Sequence, residues 1–333
     1  MRRFIALTLY VSLSAAAHAQ DAREQIGRYL RVGDYNNAER GFREAIAAQT
    51  GSENSTIARQ TIDLRNGLGD LLREEGNDVE ARELFSSVLN TPNIGWAQRL
   101  AATMGLAGAD GVAGESRWMQ ALALARQHDA KIMEAACLRG LAVMWLEARQ
   151  PTNAEPLLRR ALHILENDAD APAWQKASVL TTTGLVYRRL DKLTLAEEAW
   201  TQSFQLYRDT LGDTHPQTAY MMERLAEIHA LRRDFGTARD YAARALKAMR
   251  GSCGDDSLAV AAAYASKGDV EQYASALPAA AQNYAAAVEI ARKHPDNPAM
   301  EAALMRHYAA LLKATRHDRE AKALALEARS FMR

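Results

Sequence analysis

An all-α fold, an α-solenoid of about eight stacked helix pairs, is what the sequence predicts, and three observations predict it. Hydrophobic residues make up 48% of the 333-residue chain, much of that alanine, while aromatics are only 7%. Alanine has the best helix propensity, and small side chains let helices approach closely. Eight prolines in this length leave room for many helices. A small residue also recurs at a near-constant spacing. Ala38, Ala81, Gly114, Ala154, Ala196, Ala238, Ala280 and Ala321 lie 33 to 43 residues apart, and 40 to 42 apart from Gly114 onward. A sustained period of that size marks a chain of stacked repeat units.

Each unit reads as a helix–turn–helix pair anchored on the recurring small residue of its second helix. A second small residue lies twelve positions earlier, at Gly69, Ala102, Ala142, Gly184, Ala226 and Ala309. A bulky one follows the anchor by four, at Phe42, Phe85, Trp118, Leu158, Trp200 and Tyr284, and is expected to fill the space between successive units. In order, the units fall at about residues 22–50, 60–92, 96–128, 133–167, 175–209, 217–250, 258–293 and 299–331, a solenoid over 20–333. Thr152…Glu155 and Thr194…Glu197 have the spacing of capping boxes at the start of second helices. Asn297-Pro298 offers an N-cap followed by proline at the first helical position. The third unit contains "MGLAGADGVAG", residues 104–114, with a glycine at every third position. A dinucleotide loop needs G-x-G-x-x-G after a strand, whereas this run follows a helical stretch and has no Lys-Ser/Thr behind it. Gly105 and Gly108 therefore fall in a first helix, Gly111 in the hairpin turn and Gly114 at the anchor. Each helical glycine costs about 1 kcal/mol relative to alanine, so this is expected to be the weakest interior unit.

The first 19 residues read differently. Arg2-Arg3, an apolar run from Phe4 to Ala17 and Ala17-His18-Ala19 have the pattern of a secretory signal peptide cleaved after about Ala19. The apolar run is too short for a bilayer span, which needs about 20 residues. The expected mature protein is exported, periplasmic and without an integral membrane segment. Lys+Arg and Asp+Glu are both 41. Losing Arg2 and Arg3 leaves a charge near −2, with no basic excess to neutralise phosphates, so nucleic acid is not an expected partner. Cys137 and Cys253 fall almost three units apart, too far for the Cα separation of about 7 Å that a disulfide tolerates. They are expected to be unbridged.

No H-E-x-x-H, G-x-S-x-G, G-x-x-x-x-G-K-[ST] or C-x-x-C pattern occurs. No catalytic, metal or cofactor residues are assigned, and no cofactor is expected. His307 and His317 near Asp318 read as solvated helix-end residues. His215 and His294 both precede proline in loops between units, which points to architecture. Met104, Met119, Met133, Met144, Met221 and Met222 are expected to fill gaps in the core.

The pattern of small, aromatic and small residues resembles the tetratricopeptide repeat, and its spacing of about 42 residues resembles the kinesin light chain-like variant. Residues 212–246, "GDTHPQTAYMMERLAEIHALRRDFGTARDYAARAL", carry the closest match. The resemblance implies a right-handed superhelix whose first helices line a concave surface that binds protein or peptide. It further implies that Asn66, Arg139, Thr181, Glu223 and Arg306 project into that groove. Asp70 and Glu227 follow one turn along, with Arg73 and Arg188 nearer the rim. The family variant favours asparagine at the first of these positions, where it can hydrogen-bond a peptide backbone, and Asn66 keeps it. Two function classes follow: a non-catalytic interaction scaffold in the bacterial envelope, with a protein or peptide partner, or an envelope enzyme or regulatory subunit with a carboxylate-based site. In the second, Glu223, Glu227 and His229 are the candidate cluster, weighed against a solvated acidic stripe.

Overall fold

A computed structural model describes residues 17–32, 34–49, 55–295 and 297–331. Residues 1–16 of the expected signal segment lie outside the described residues. Among those described, the chain is all-α, with no strand. The helices form two compact units, 1–210 and 211–333.

The first unit holds five consecutive packed pairs. They are α1 (Ala17–Val32) with α2 (Tyr35–Gln49), α3 (Ser55–Glu75) with α4 (Asp78–Leu89) and α5 (Trp96–Ala109) with α6 (Glu115–Gln127). Then come α7 (Lys131–Glu147) with α8 (Pro151–Glu166), and α9 (Ala173–Arg189) with α10 (Leu193–Leu211). First helices also touch first helices, α3 with α5, α5 with α7 and α7 with α9. The second unit holds three pairs: α11 (Pro216–Leu231) with α12 (Phe235–Cys253), α13 (Leu258–Tyr273) with α14 (Leu277–Arg292), and α15 (Pro298–Ala314) with α16 (Asp318–Ser330).

Bulky side chains seated on small residues set these distances. Phe85 on α4 is fully buried between Gly69 of its own pair and Gly105 of the next. A Cβ at Gly69 would come within 2.7 Å of the ring, and one at Gly105 would overlap it. Trp118 sits on Gly140 of the following pair, Trp200 on Gly184 and Tyr284 on Gly268 within their own pairs. The bulky residue thus fills space inside a pair as well as between pairs, more than its expected role between units alone. The glycines of 104–114 belong to this scheme. Gly105 receives the Phe85 ring, and a Cβ at Gly114 would strike the Ala107 carbonyl. The helix propensity given up there is what permits the approach, and Asp110 in the adjoining turn pairs with Arg82 and Arg117.

Hairpin turns repeat a single device. Among the described residues, one with positive φ follows each first helix from α3 onward, at Gly76, Gly111, Arg149, Asp191, Arg233, Ser275 and Arg316. In most of them the next N–H reaches back to the helix, as in Gln150 N to Trp145 O and Lys192 N to Tyr187 O, both 2.8 Å. This is the Schellman closure, and glycine is its usual residue. Here five turns use other residues in its place.

The capping box expected at Thr152 does not form. α8 starts at Pro151 after Gln150, which makes no side-chain cap, so Thr152 lies inside the first turn. α10 starts at Leu193, which puts Thr194 inside as well. The closing turn and Pro151 fix the helix start one or two residues earlier than the box requires. Glu155 instead accepts from Lys192 at 3.0 Å. Asn297 does cap α15, accepting from Met300 N ahead of Pro298. Met144, Met221 and Met222 are core residues, but Met119 is exposed on the outer side of α6. Cys137 and Cys253 are both free thiols.

Two substitutions test this packing. Trp200 is fully buried and donates through Nε1 to the Thr181 carbonyl at 3.1 Å, so Trp200→Ala should cost about 3–5 kcal/mol in denaturant unfolding. Gly105→Ala raises local helix propensity by about 1 kcal/mol but forces a methyl into the Phe85 ring. A net loss of about 1–3 kcal/mol is expected, and a stabilised G105A protein would contradict the ring-on-glycine packing.

Candidate functional site

One stripe of α3 runs Asp63, Asn66, Asp70 and Arg73, positions three or four apart and so on one face. Opposite it stands the face of α7 that carries Arg139, Val143 and Glu147. Between them α5 presents Ala97, Ala101 and Gly108, short residues that keep the floor low, and Met104. These three first helices enclose an open cavity of about 290 Å³ in the first unit. Trp96, at the first position of α5, stands at its edge and stacks on His128 with ring centroids 4.3 Å apart.

Several carboxylates line the cavity wall. Arg23 of α1 lies 3.7 Å from Asp63. Arg73 pairs with Glu74 at 2.7 Å and reaches Asp70 only at 3.9 Å. Burial pushes the Asp63, Asp70 and Glu74 carboxyls up from their ordinary values, against the pull of the neighbouring arginines, and Asp70 reaches about 7. Burial also lowers the Arg139 guanidinium. Asn66 is 6% exposed; its Nδ2 donates to the Gln98 carbonyl at 3.2 Å, and its Oδ1 has no partner.

Of the groove residues implied by the resemblance, Asn66, Asp70, Arg73 and Arg139 come together here. Thr181 does not project into a groove. It is 2% exposed, and its Oγ1 bonds Ala177 O at 2.9 Å and Ser203 Oγ at 2.8 Å inside the α9–α10 pair. Arg188 is half-buried in the last turn of α9. In the second unit Arg306 is exposed on α15. Glu223 and Glu227 are not a solvated stripe: Glu223 is 2% exposed and its carboxyl is pushed up to about 7 by burial. Arg224 holds Glu227 at 2.8 Å, while His229 turns away to Asp234 at 3.2 Å and to the Tyr241 ring. The three candidate catalytic side chains therefore do not form one cluster. Among the described residues no group of three His, Cys, Asp or Glu could hold a metal ion, and no helix is long and apolar enough to cross a membrane.

Asp63, Trp96, Gln98 and Glu147 were not singled out by the sequence, and Met104, expected to fill the core, lines the cavity. Asp63 was within reach, seven residues before Asp70 on the same helical face. Trp96 and Glu147 join only because three helices meet.

The raised Asp70 carboxyl has a consequence for stability. The folded form holds its proton to about pH 7 while the unfolded form releases it near 3.8, so stability falls as pH rises between those values. Between pH 5 and 8 the wild type should lose about 1–3 kcal/mol more than Asp70→Asn, by denaturant unfolding at each pH. Identical pH profiles would mean that Asp70 is not shielded from water.

Residues 175–251 match the profile of the tetratricopeptide repeat family. Among curated proteins no match is found. Solved structures resemble the chain at low identity. BtubC (BKLC) from P. vanneervenii is 19% identical, with TM-score 0.55, over 67% of this chain and 90% of that one. A Rap protein complexed with competence and sporulation factor is 12% identical, with TM-score 0.63, over 94% and 98%. Aspartyl phosphate phosphatase F from Bacillus subtilis is 13% identical, with TM-score 0.57, over 97% and 96%. At these identities the likeness concerns the fold, and that fold agrees with the periodic sequence: the described residues form a helical repeat, with a tetratricopeptide match over residues 175–251.

Proposed function

We propose that the chain is a non-catalytic interaction scaffold that holds a peptide segment of a partner protein in the cavity between α3, α5 and α7. The observation that carries this reading is the unsatisfied polar wall. Asn66 presents a buried acceptor without a partner, beside carboxylates displaced from their ordinary ionisation, over an apolar floor. Buried polar groups are normally satisfied, and one left open in a cavity wall is ready to receive a donor. The residues lining the cavity include no Ser, Thr, Cys, His, Lys or Tyr, so the carboxylates of Asp63, Asp70, Asp78 and Glu147 are the only nucleophiles of the usual kinds there. One similar fold, the Rap protein, is described in complex with competence and sporulation factor, which supports a partner-binding use of such a scaffold. Export to the bacterial envelope rests on the N-terminal pattern of Arg2-Arg3, the apolar run and Ala17-His18-Ala19.

Selection of random displayed decapeptides on the purified protein tests the binding role. Enriched binders are expected, and Ala101→Trp, which fills the cavity floor, should reduce their retention at least tenfold while circular dichroism and melting stay unchanged. No enrichment on the wild type, or equal retention by A101W, would overturn the reading. Export has its own check: N-terminal sequencing of protein recovered from the envelope fraction should begin at Gln20, and a chain retaining Met1 would contradict it.

A further inference from the structure

Two polar groups one helical turn apart on α3, Asn66 and Asp70, stand incomplete in the cavity wall. Asn66 is 6% exposed, and its Nδ2 donates to the Gln98 carbonyl at 3.2 Å. A carbonyl only accepts, so that contact fixes which way the amide lies and leaves Oδ1 as an acceptor without a partner. The nearest cation to Asp70 is Arg73 at 3.9 Å, which gives its close contact, 2.7 Å, to Glu74. Burial keeps the Asp70 carboxyl protonated up to about pH 7. A neutral carboxyl carries an O–H, so the pair offers one acceptor and one donor. Groups four residues apart on a helix have Cβ atoms about 5–6 Å apart, close enough for one ligand group to bridge.

Such a group must be uncharged and present an N–H and a C=O side by side. A main-chain amide of an extended segment does not, because the trans peptide bond points the two in opposite directions. A primary carboxamide carries both on one carbon and offers them from its end. The floor suits its stem: Ala97, Ala101 and Met104 of α5 give a methylene chain an apolar path. With about 290 Å³ of room, the cavity is at the small end for ligand pockets and holds one or two side chains.

We infer that the cavity selects a carboxamide side chain, glutamine or asparagine, of the partner's peptide, its N–H on Asn66 Oδ1 and its C=O on the Asp70 carboxyl. This rests on the peptide-binding reading above and adds the class of residue recognised. Asp70 faces Arg73 and Glu74 from its own helix and Arg139 from α7. Asp63 of α3, Asp78 of α4 and Glu147 of α7 also line the cavity, and the α5 residues lining it carry no titratable group. The carboxamide oxygen needs the Asp70 proton, so the ligand binds the protonated form. Affinity is therefore level below about pH 7 and falls as the carboxyl ionises above it.

Three decapeptide display libraries that differ only in a fixed central glutamine, glutamate or norleucine test this on the full chain. At pH 6 the glutamine library should be retained tenfold or more above the other two, and its retention should fall at least threefold by pH 8.5. Asp70→Asn supplies a side-chain N–H donor at every pH. Folded by circular dichroism, it should keep the glutamine preference and lose the pH dependence. Retention of either other library equal to that of glutamine would overturn carboxamide selection and leave peptide binding intact. Retention of none would overturn both. Should D70N fail to fold, the wild type decides: glutamine retention that does not fall between pH 6 and 8.5 overturns the donor role of Asp70.

Discussion

A ring lodged against a glycine is the contact on which the rest of this structure depends. Phe85 between Gly69 and Gly105 fixes how near α4 lies to both α3 and α5, and Trp118 on Gly140 does the same for α6 and α7. Interiors pack at crystal-like density, so such a contact admits little adjustment. The cavity inherits its dimensions from these contacts. Asn66 is three residues from Gly69 on the same helix, and Arg139 is the immediate neighbour of Gly140. Residues that set the spacing and residues that line the cavity alternate along one helix, so a change in the first moves the second.

The cavity wall works against folding. Carboxylates at Asp63, Asp70 and Glu74 are drawn out of water with incomplete pairing, and burial displaces their protonation. Charge left in that condition clusters at functional sites. The contrast within the same unit is Glu134, which is buried but held by Arg126 and Arg160, both at 2.9 Å. Glu134 meets two arginines at hydrogen-bond distance, whereas the nearest cation to Asp70 is Arg73 at 3.9 Å.

The turns show how much of a repeat is carried by backbone geometry alone. Arg149, Asp191, Arg233, Ser275 and Arg316 share the left-handed conformation, although they share no chemistry. A non-glycine residue there costs on the order of 1 kcal/mol. Their spacing of 41 or 42 residues follows from the packing of the helices on either side. The same closure displaced the helix starts to Pro151 and Leu193, so that Thr152 and Thr194 fall inside the first turn rather than ahead of it.

Helix content, the pairing of helices and the periodic anchors were legible in the residues themselves. A small residue every 40 to 42 positions, with a partner twelve before and a bulky residue four after, is a local statement of which faces must touch. Asn66, Asp70 and Arg73 could be placed on one face by the same counting. What counting could not supply was depth. Thr181 occupies the repeat position of Asn66, yet it is sealed against Ser203, and Glu223 at the same position is buried rather than solvated. Periodicity fixes the direction of a side chain around its own helix. Whether that direction ends in a cavity, a neighbouring helix or water is decided by the helices packed on either side, and only the tertiary structure brought α3, α5 and α7 around a single space.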